Sequence, residues 1–257
     1  MTVLSVKDVT VRFGGLVAND AISFDVAQGM LAAVIGPNGA GKTTLFNVIS
    51  GAMAPTSGTV HFNGEVITGL PQYEVSQKGL VRTYQLVQLF KDLSVRANIM
   101  TGFHRVTKGG VLAALLRPRW FREQEARIAA RTEELLDFVG LRAVADMEAD
   151  KLPYGQQRLL EVARALAAEP HLLLLDEPAA GLNMQETAAL ADVIQRVNSQ
   201  GVAVVLVEHD MQLVMQIARK IVVIDFGRKI AEGSPAEIKA HPEVIAAYLG
   251  GTEGLDD

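Results

Sequence analysis

Residues 34–44 read VIGPNGAGKTT, and within them Gly36, Pro37, Asn38, Gly39, Ala40, Gly41, Lys42 and Thr43 form a G-x-x-x-x-G-K-T run. The run joins an apolar stretch, LAAVI at 31–35, to an amphipathic one, TLFNVIS at 44–50. A glycine-rich turn alone could match the letters. A strand before the loop and a helix after it give them chemistry, because successive backbone N–H groups can then curl around a β-phosphate at a helix N-terminus. In that geometry Lys42 reaches the β- and γ-oxygens, and the Thr43 hydroxyl can ligate Mg²⁺.

Outward from the loop, LAAVI at 31–35, LLLLD at 172–176, VAVVLVE at 202–208 and IVVID at 221–225 are continuous apolar runs. Such runs belong to strands buried on both faces, as in a parallel sheet covered by helices. LLLLDEP then places Asp176 and Glu177 at a strand's carboxyl end, where ligands of such sheets bind. Asp176 can hold Mg²⁺ through water, and Glu177 can orient and polarise an attacking water. A nucleoside triphosphatase follows. No N-K-x-D guanine-reading motif occurs, and Phe13 in VRFGG offers a ring for an adenine, although taken alone it reads more readily as a core aromatic.

The rest of the chain frames this core. Its 257 residues carry 24 Lys and Arg against 29 Asp and Glu, a net charge of −5, which argues against a general nucleic-acid binder. There is no cysteine, so thiolate metal sites and cysteine catalysis are excluded. MTVLSVKDVTVRF alternates and meets Asp8 early, as a strand does and a secretory segment does not. The longest uncharged run, between Lys42 and Glu65, is too rich in Thr, Ser, Asn, Gly and Pro for a lipid-facing helix. Alternation at Val9, Val11, Phe13 and at Ile22, Phe24, Val26 predicts antiparallel strands, and Asn63-Gly64 predicts a hairpin turn. Helical spacing at 121–139 and 156–168, with no apolar run between about 94 and 169, predicts a helical insert. The chain reads as one domain, with an α/β core at 1–85 and 165–257 and a helical subdomain at 86–164. Ser234-Pro235-Ala236-Glu237 predicts a capped helix start.

A second helix start, KLPYGQQ at 151–157, also suits an anion, which raises the question of whose phosphate it serves. The order of motifs answers it. The nucleotide loop is followed by Gln85 in VRTYQLVQLF, then LPYGQQRLLEVARAL, LLLLDEPAAGLN and VVLVEHDM, which resembles the ATP-binding subunits of ABC transporters over almost the whole chain. RFGGLVA, RTYQ, YGQQR, DEPAAGLN, EHDM and the terminal AYLG look like the branched-chain amino-acid importer subgroup.

The resemblance implies a P-loop NTPase (RecA-like) α/β core with an N-terminal antiparallel β subdomain and an inserted α-helical subdomain. It implies ATP and Mg²⁺ as cofactors, with Phe13 stacked on adenine and Gly36 to Thr44, including Thr43, on the phosphates. It further implies that Gln85 contacts Mg²⁺ and the lytic water, that Glu177 is the catalytic base and that His209 touches the γ-phosphate. Two subunits, of the same or a homologous chain, would pair head to tail. The signature at Tyr154, Gly155 and Gln156 would then close on the partner's ATP. Transmembrane permease subunits and, indirectly, a solute-binding protein are the implied partners, with no nucleic acid, and the implied place is the cytoplasmic face of the cell membrane. In two places the chain departs from the family. Pro153 stands where a serine usually supplies a hydroxyl, with Tyr154 in place of the first glycine, and Asn183 stands where Asp is usual. A soluble ABC-type clamp would carry a long coiled-coil insert or two ATPase halves, and neither is present. A P-loop kinase would leave the signature and His209 without a role. Finally, Arg105 to Arg131 holds seven Lys or Arg and two Glu, a local +5 beside VLAALL and Trp120-Phe121. That segment suits either a solvated face or anionic headgroups and a membrane partner.

Overall fold

The computed structural model describes residues 1–83, 88–109 and 111–249. In chain order the elements begin with strands β1 (Thr2–Phe13), β2 (Leu16–Ala27) and β3 (Leu31–Ile35), followed by helix α1 (Lys42–Ile49). Then come β4 (Ser57–Phe62), β5 (Glu65–Val66), α2 (Gln72–Gln77) and β6 (Leu80–Arg82). Four helices follow: α3 (Val95–Gly102), α4 (Val111–Leu116), α5 (Arg119–Phe138) and α6 (Tyr154–Ala167). The chain continues through β7 (Leu172–Asp176), α7 (Met184–Ser199), β8 (Ala203–Val207), α8 (Met211–Ile217), β9 (Lys220–Asp225) and β10 (Arg228–Gly233). It closes with α9 (Pro235–Lys239) and α10 (Pro242–Leu249).

Two compact units result, one of residues 1–85, 171–181 and 194–257, the other of 86–170 and 182–193. The sequence division ended the helical part at 164. Helix α6 runs on to Ala167, so the second unit takes the whole of it, and residues 182–193, at the start of α7, also group there.

The first unit holds two sheets. β2-β1-β4-β5 is antiparallel, and β10-β9-β3-β8-β7-β6 is parallel except for the antiparallel edge strand β10. All five residues of β3, β7 and β8 are buried, as the continuous apolar runs require. One core cluster unites Val9, Ile22 and Phe62 from the first sheet, Val34 and Leu174 from the second, and Phe46 from α1. Burying a ring the size of Phe46 in full stabilises by about 1.5–3 kcal/mol. The alternation of β1 fails at its end. Phe13 pairs with Leu16 at the tip of the β1–β2 hairpin, and both are exposed, while Val9 and Val11 are inside. Asn63 and Gly64 take positive φ at the β4–β5 turn, as the Asn-Gly pair predicts. Ser234 and Glu237 close the expected capping box on α9.

In the second unit α3, α5 and α6 pack together around Ile99, Leu135, Leu136 and Leu160. Buried Asn98 fixes the segment before α3. Its Nδ2 donates to the carbonyls of Phe90, Leu93 and Ser94, and its Oδ1 accepts from the Phe90 amide at 2.9 Å. The charge of the insert is mostly answered locally, by Arg117–Glu125, Arg119–Glu123, Arg127–Glu169 and Arg131–Glu134. Two of those partners, Glu134 and Glu169, lie outside the window that gives +5. Among the described residues no helix is long and apolar enough to cross a membrane.

Candidate active site

The parallel strands β3, β7 and β8 end side by side, and each delivers a group to one place in the first unit. From β3 the chain turns through Gly36, whose φ is +155° and whose absent Cβ would fall 1.9 Å from the Ile224 carbonyl oxygen, so only glycine fits. Asn38 and Gly39 are exposed, Ala40 is buried, and Gly41 caps α1. Thr43 is exposed and Thr44 partly so. The buried Lys42 ammonium donates to the carbonyls of Gly36 and Pro37 at 2.8 and 2.9 Å. Burial pulls its pKa below the usual lysine range, while the nearby carboxylates of Glu177 and Asp176 pull it back up.

From β7 come Asp176 and Glu177. Glu177 takes φ 46°, a costly conformation for a residue with a side chain, held by its amide donating to the Val207 carbonyl at 2.9 Å. From the end of β8 comes His209, whose Nδ1 is 3.9 Å from Glu177 Oε2 and whose side chain is largely exposed. The loop, Lys42, Asp176, Glu177 and His209 are therefore gathered at the carboxyl ends of the parallel strands. Phe13, at the end of β1, presents an exposed ring. Gln85 lies outside the described residues.

Tyr154, Gly155 and Gln156 open α6 in the second unit. Pro153 is the N-cap, and no side chain caps this helix, so its first amides are left to other partners. The Tyr154 ring is exposed and carries the Arg158 guanidinium 5.3 Å from its centroid. Gly155 is buried, and a Cβ there would meet Glu186 Oε1 at 2.5 Å, so a larger residue would displace that side chain. Glu186 in turn accepts from the Asn183 amide, and Asn183 Oδ1 caps the start of α7 by accepting from the amides of Gln185 and Glu186.

Three supporting residues escape sequence reasoning. Arg82 forms a buried ion pair with Asp176, Nη2 to Oδ2 at 2.6 Å, and also donates to Asn47 Oδ1 and Ser50 Oγ in and just after α1. Glu208, also buried, accepts from the amides of Ala179, His209 and Asp210 at 2.8, 3.1 and 3.4 Å, tying the loop after Glu177 to the histidine. Burial pushes its carboxyl above the usual range, against those three amides. Asn19, fully buried, donates to the Gly41 carbonyl at 3.1 Å and fixes β2 to the nucleotide loop. An acidic residue closing an apolar run, as in VLVEHD, is the one signal that flags Glu208.

Comparison with known proteins places this arrangement. The family model described as ABC transporter matches residues 19–180, and that of the Branched-chain amino acid ATP-binding cassette transporter matches residues 228–254. The chain is 44% identical, over 96% of its length and 98% of the relative's, to the high-affinity branched-chain amino acid transport ATP-binding protein BraF of Pseudomonas aeruginosa. It is 40% identical to the corresponding LivG protein of Escherichia coli, over 96% and 97% of the two chains. Among solved structures it is similar to the ADP conformation of MJ1267, an ATP-binding cassette of an ABC transporter, with TM-score 0.84, 30% identity and coverage of 97% and 99%. With most of its length inside one family model and relatives this similar from end to end, the chain belongs to the ABC transporter family as one of its ATP-binding cassettes.

Proposed function

We propose that the chain is the ATP-hydrolysing subunit of an importer of branched-chain or other hydrophobic amino acids. The observation that carries the chemistry is the placement of Glu177 at the end of β7, with His209 Nδ1 3.9 Å from its carboxylate and Lys42 close enough to feel its charge. The amino-acid substrate is inferred from the names of BraF and LivG.

In this reading the loop amides and Lys42 hold the β- and γ-phosphates, and Lys42 exchanges its two carbonyl partners for phosphate oxygens. Phe13 stacks on the adenine. Glu177 accepts the proton of a water attacking the γ-phosphorus, the bond to the β–γ bridging oxygen breaks, and ADP leaves. His209 meets the γ-phosphate, and Gln85 relays its presence to the permease. Among the described residues no group of three or more carboxylate or imidazole side chains could cage a metal. Thr43, Asp176 and Gln85 would be the protein's share in holding Mg²⁺, an ion that keeps several waters and takes phosphate oxygens. When bound, it neutralises charge on the β- and γ-oxygens.

Two cassettes pair head to tail, and the first turn of α6, uncapped by any side chain, offers backbone amides and its dipole to the partner's γ-phosphate. Pro153 supplies no hydroxyl there, so those amides carry the contact. Association with permease subunits would hold the chain at the cytoplasmic face of the membrane.

The permease contact is assigned to LVQLFKDLSV, 86–95, where Phe90 is 54% exposed, Leu93 is also exposed, and Asn98 binds the backbone of Phe90, Leu93 and Ser94. A short helix from the partner would bury these side chains. Phe90→Asp is expected to abolish co-purification with the permease subunits while ATP binding persists. Full co-purification of the variant would place the docking surface elsewhere. A parent chain that never co-purifies with a polytopic membrane protein would overturn the importer reading.

A further inference from the structure

The nucleotide loop is held on one side by residues that no phosphate chemistry requires. The Gly227 amide, in the β9–β10 turn, donates to the Ala40 carbonyl at 3.0 Å, and the Ile224 carbonyl sits against Gly36 where a Cβ would be. α10 completes this support. The Tyr248 hydroxyl is sealed from solvent beside the Gly36 backbone amide, yet it closes no hydrogen bond of normal geometry. The loop and the helix face each other across a cavity of about 520 Å³ lined by Pro37, Phe226, Ile230, Ala246 and Ala247. Gly36 is also the residue whose carbonyl accepts from Lys42 at 2.8 Å, a bond that is given up when the lysine turns to a phosphate.

We infer that Tyr248 is a positioning residue for nucleotide binding: its buried hydroxyl completes a hydrogen bond with the Gly36 amide when the loop takes up phosphate, coupling α10 to occupancy of the site. This rests on the nucleotide-binding reading above. A buried hydroxyl without a partner is costly, and a loop shift of a few tenths of an ångström that satisfies it favours the shifted state. The coupling is reciprocal: whatever steadies α10 tightens nucleotide binding, and nucleotide steadies α10. Burial, against the nearby Gly36 amide and aided by the charge of Asp225, pushes the phenol up to about 12.

Tyr248→Phe keeps the ring and removes only the hydroxyl. Titration calorimetry with Mg-ADP is expected to show a Kd raised about three- to tenfold, the size of one neutral hydrogen bond. KM for ATP should rise by a similar factor and kcat should change less. A purely structural tyrosine would lower the melting temperature and leave that split absent. In hydrogen exchange, Mg-ADP should protect amides of 243–249 in the parent and fail to do so in Tyr248→Phe. A Kd within twofold of the parent, or protection that persists in the variant, overturns the inference. Lys42→Ala separates the two levels. If it loses Mg-ADP and Tyr248→Phe does not, only the coupling is wrong, whereas a parent chain that binds no Mg-ADP removes the nucleotide reading itself.

Discussion

Glu177→Gln is expected to lower kcat for ATP by about 10²–10⁴-fold while nucleotide still binds, because the amide fills the same space but accepts no proton. The surroundings favour a clean result. The Glu177 backbone is held by its bond to the Val207 carbonyl, so the substitution leaves the strand end in place. The neighbouring His209 lies 3.9 Å away, and Lys42 loses one of the two carboxylates that sustain its charge. Lys42 should therefore give up its proton at a lower pH in the variant, in the direction burial already drives it. Steady-state turnover at saturating Mg-ATP measures the main effect. Turnover within a few-fold of the parent would remove Glu177 from the role of base.

Arg82→Ala should destabilise the chain by about 3–5 kcal/mol, the usual result of removing one member of a buried ion pair. Arg82 and Asp176 have side chains only 4% and 6% exposed, and the arginine also satisfies Asn47 and Ser50. The substitution would strand a carboxylate and two polar groups, and remove the guanidinium lying 5.8 Å from the Phe46 ring centroid. Denaturant unfolding followed by circular dichroism reads the loss. Arg82→Lys should recover only part of it, since an ammonium lacks the planar fork that spans Asp176 and Asn47. A midpoint unchanged in Arg82→Ala would mean that Asp176 is held by other groups.

What the sequence disclosed follows from which signals are local. Strands β3, β7, β8 and β9 are legible because burial on both faces leaves an uninterrupted apolar run. The loop at 36–43 is legible because its glycines, lysine and threonine are contiguous. β10, RKIAEG, escapes notice because an edge strand keeps charged residues on its open side. Phe13 shows the reverse failure. Alternation groups it with Val9 and Val11, yet it stands at the tip of the β1–β2 hairpin, paired with exposed Leu16 and beyond the core.

The partners of the site were hidden for a different reason. Arg82 and Asp176 are 94 positions apart, and Ala179 and Glu208 are 29 apart. Contacts at such separations are set by the order of strands in the sheet, which no spacing rule supplies. The charge count over 105–131 has the same limit, since a window cannot include Glu169, which meets Arg127 from far along the chain.

The composite site has one direct test, the mass of the Glu177→Gln chain by light scattering. Binding without turnover should lock two copies together, each α6 start closing on the other's ATP. With saturating Mg-ATP the expected mass is twice that of the single chain, and with Mg-ADP it is that of one chain. A single-chain mass in saturating Mg-ATP would contradict a head-to-tail pair of identical chains and leave the first turn of α6 without the phosphate assigned to it in such a pair.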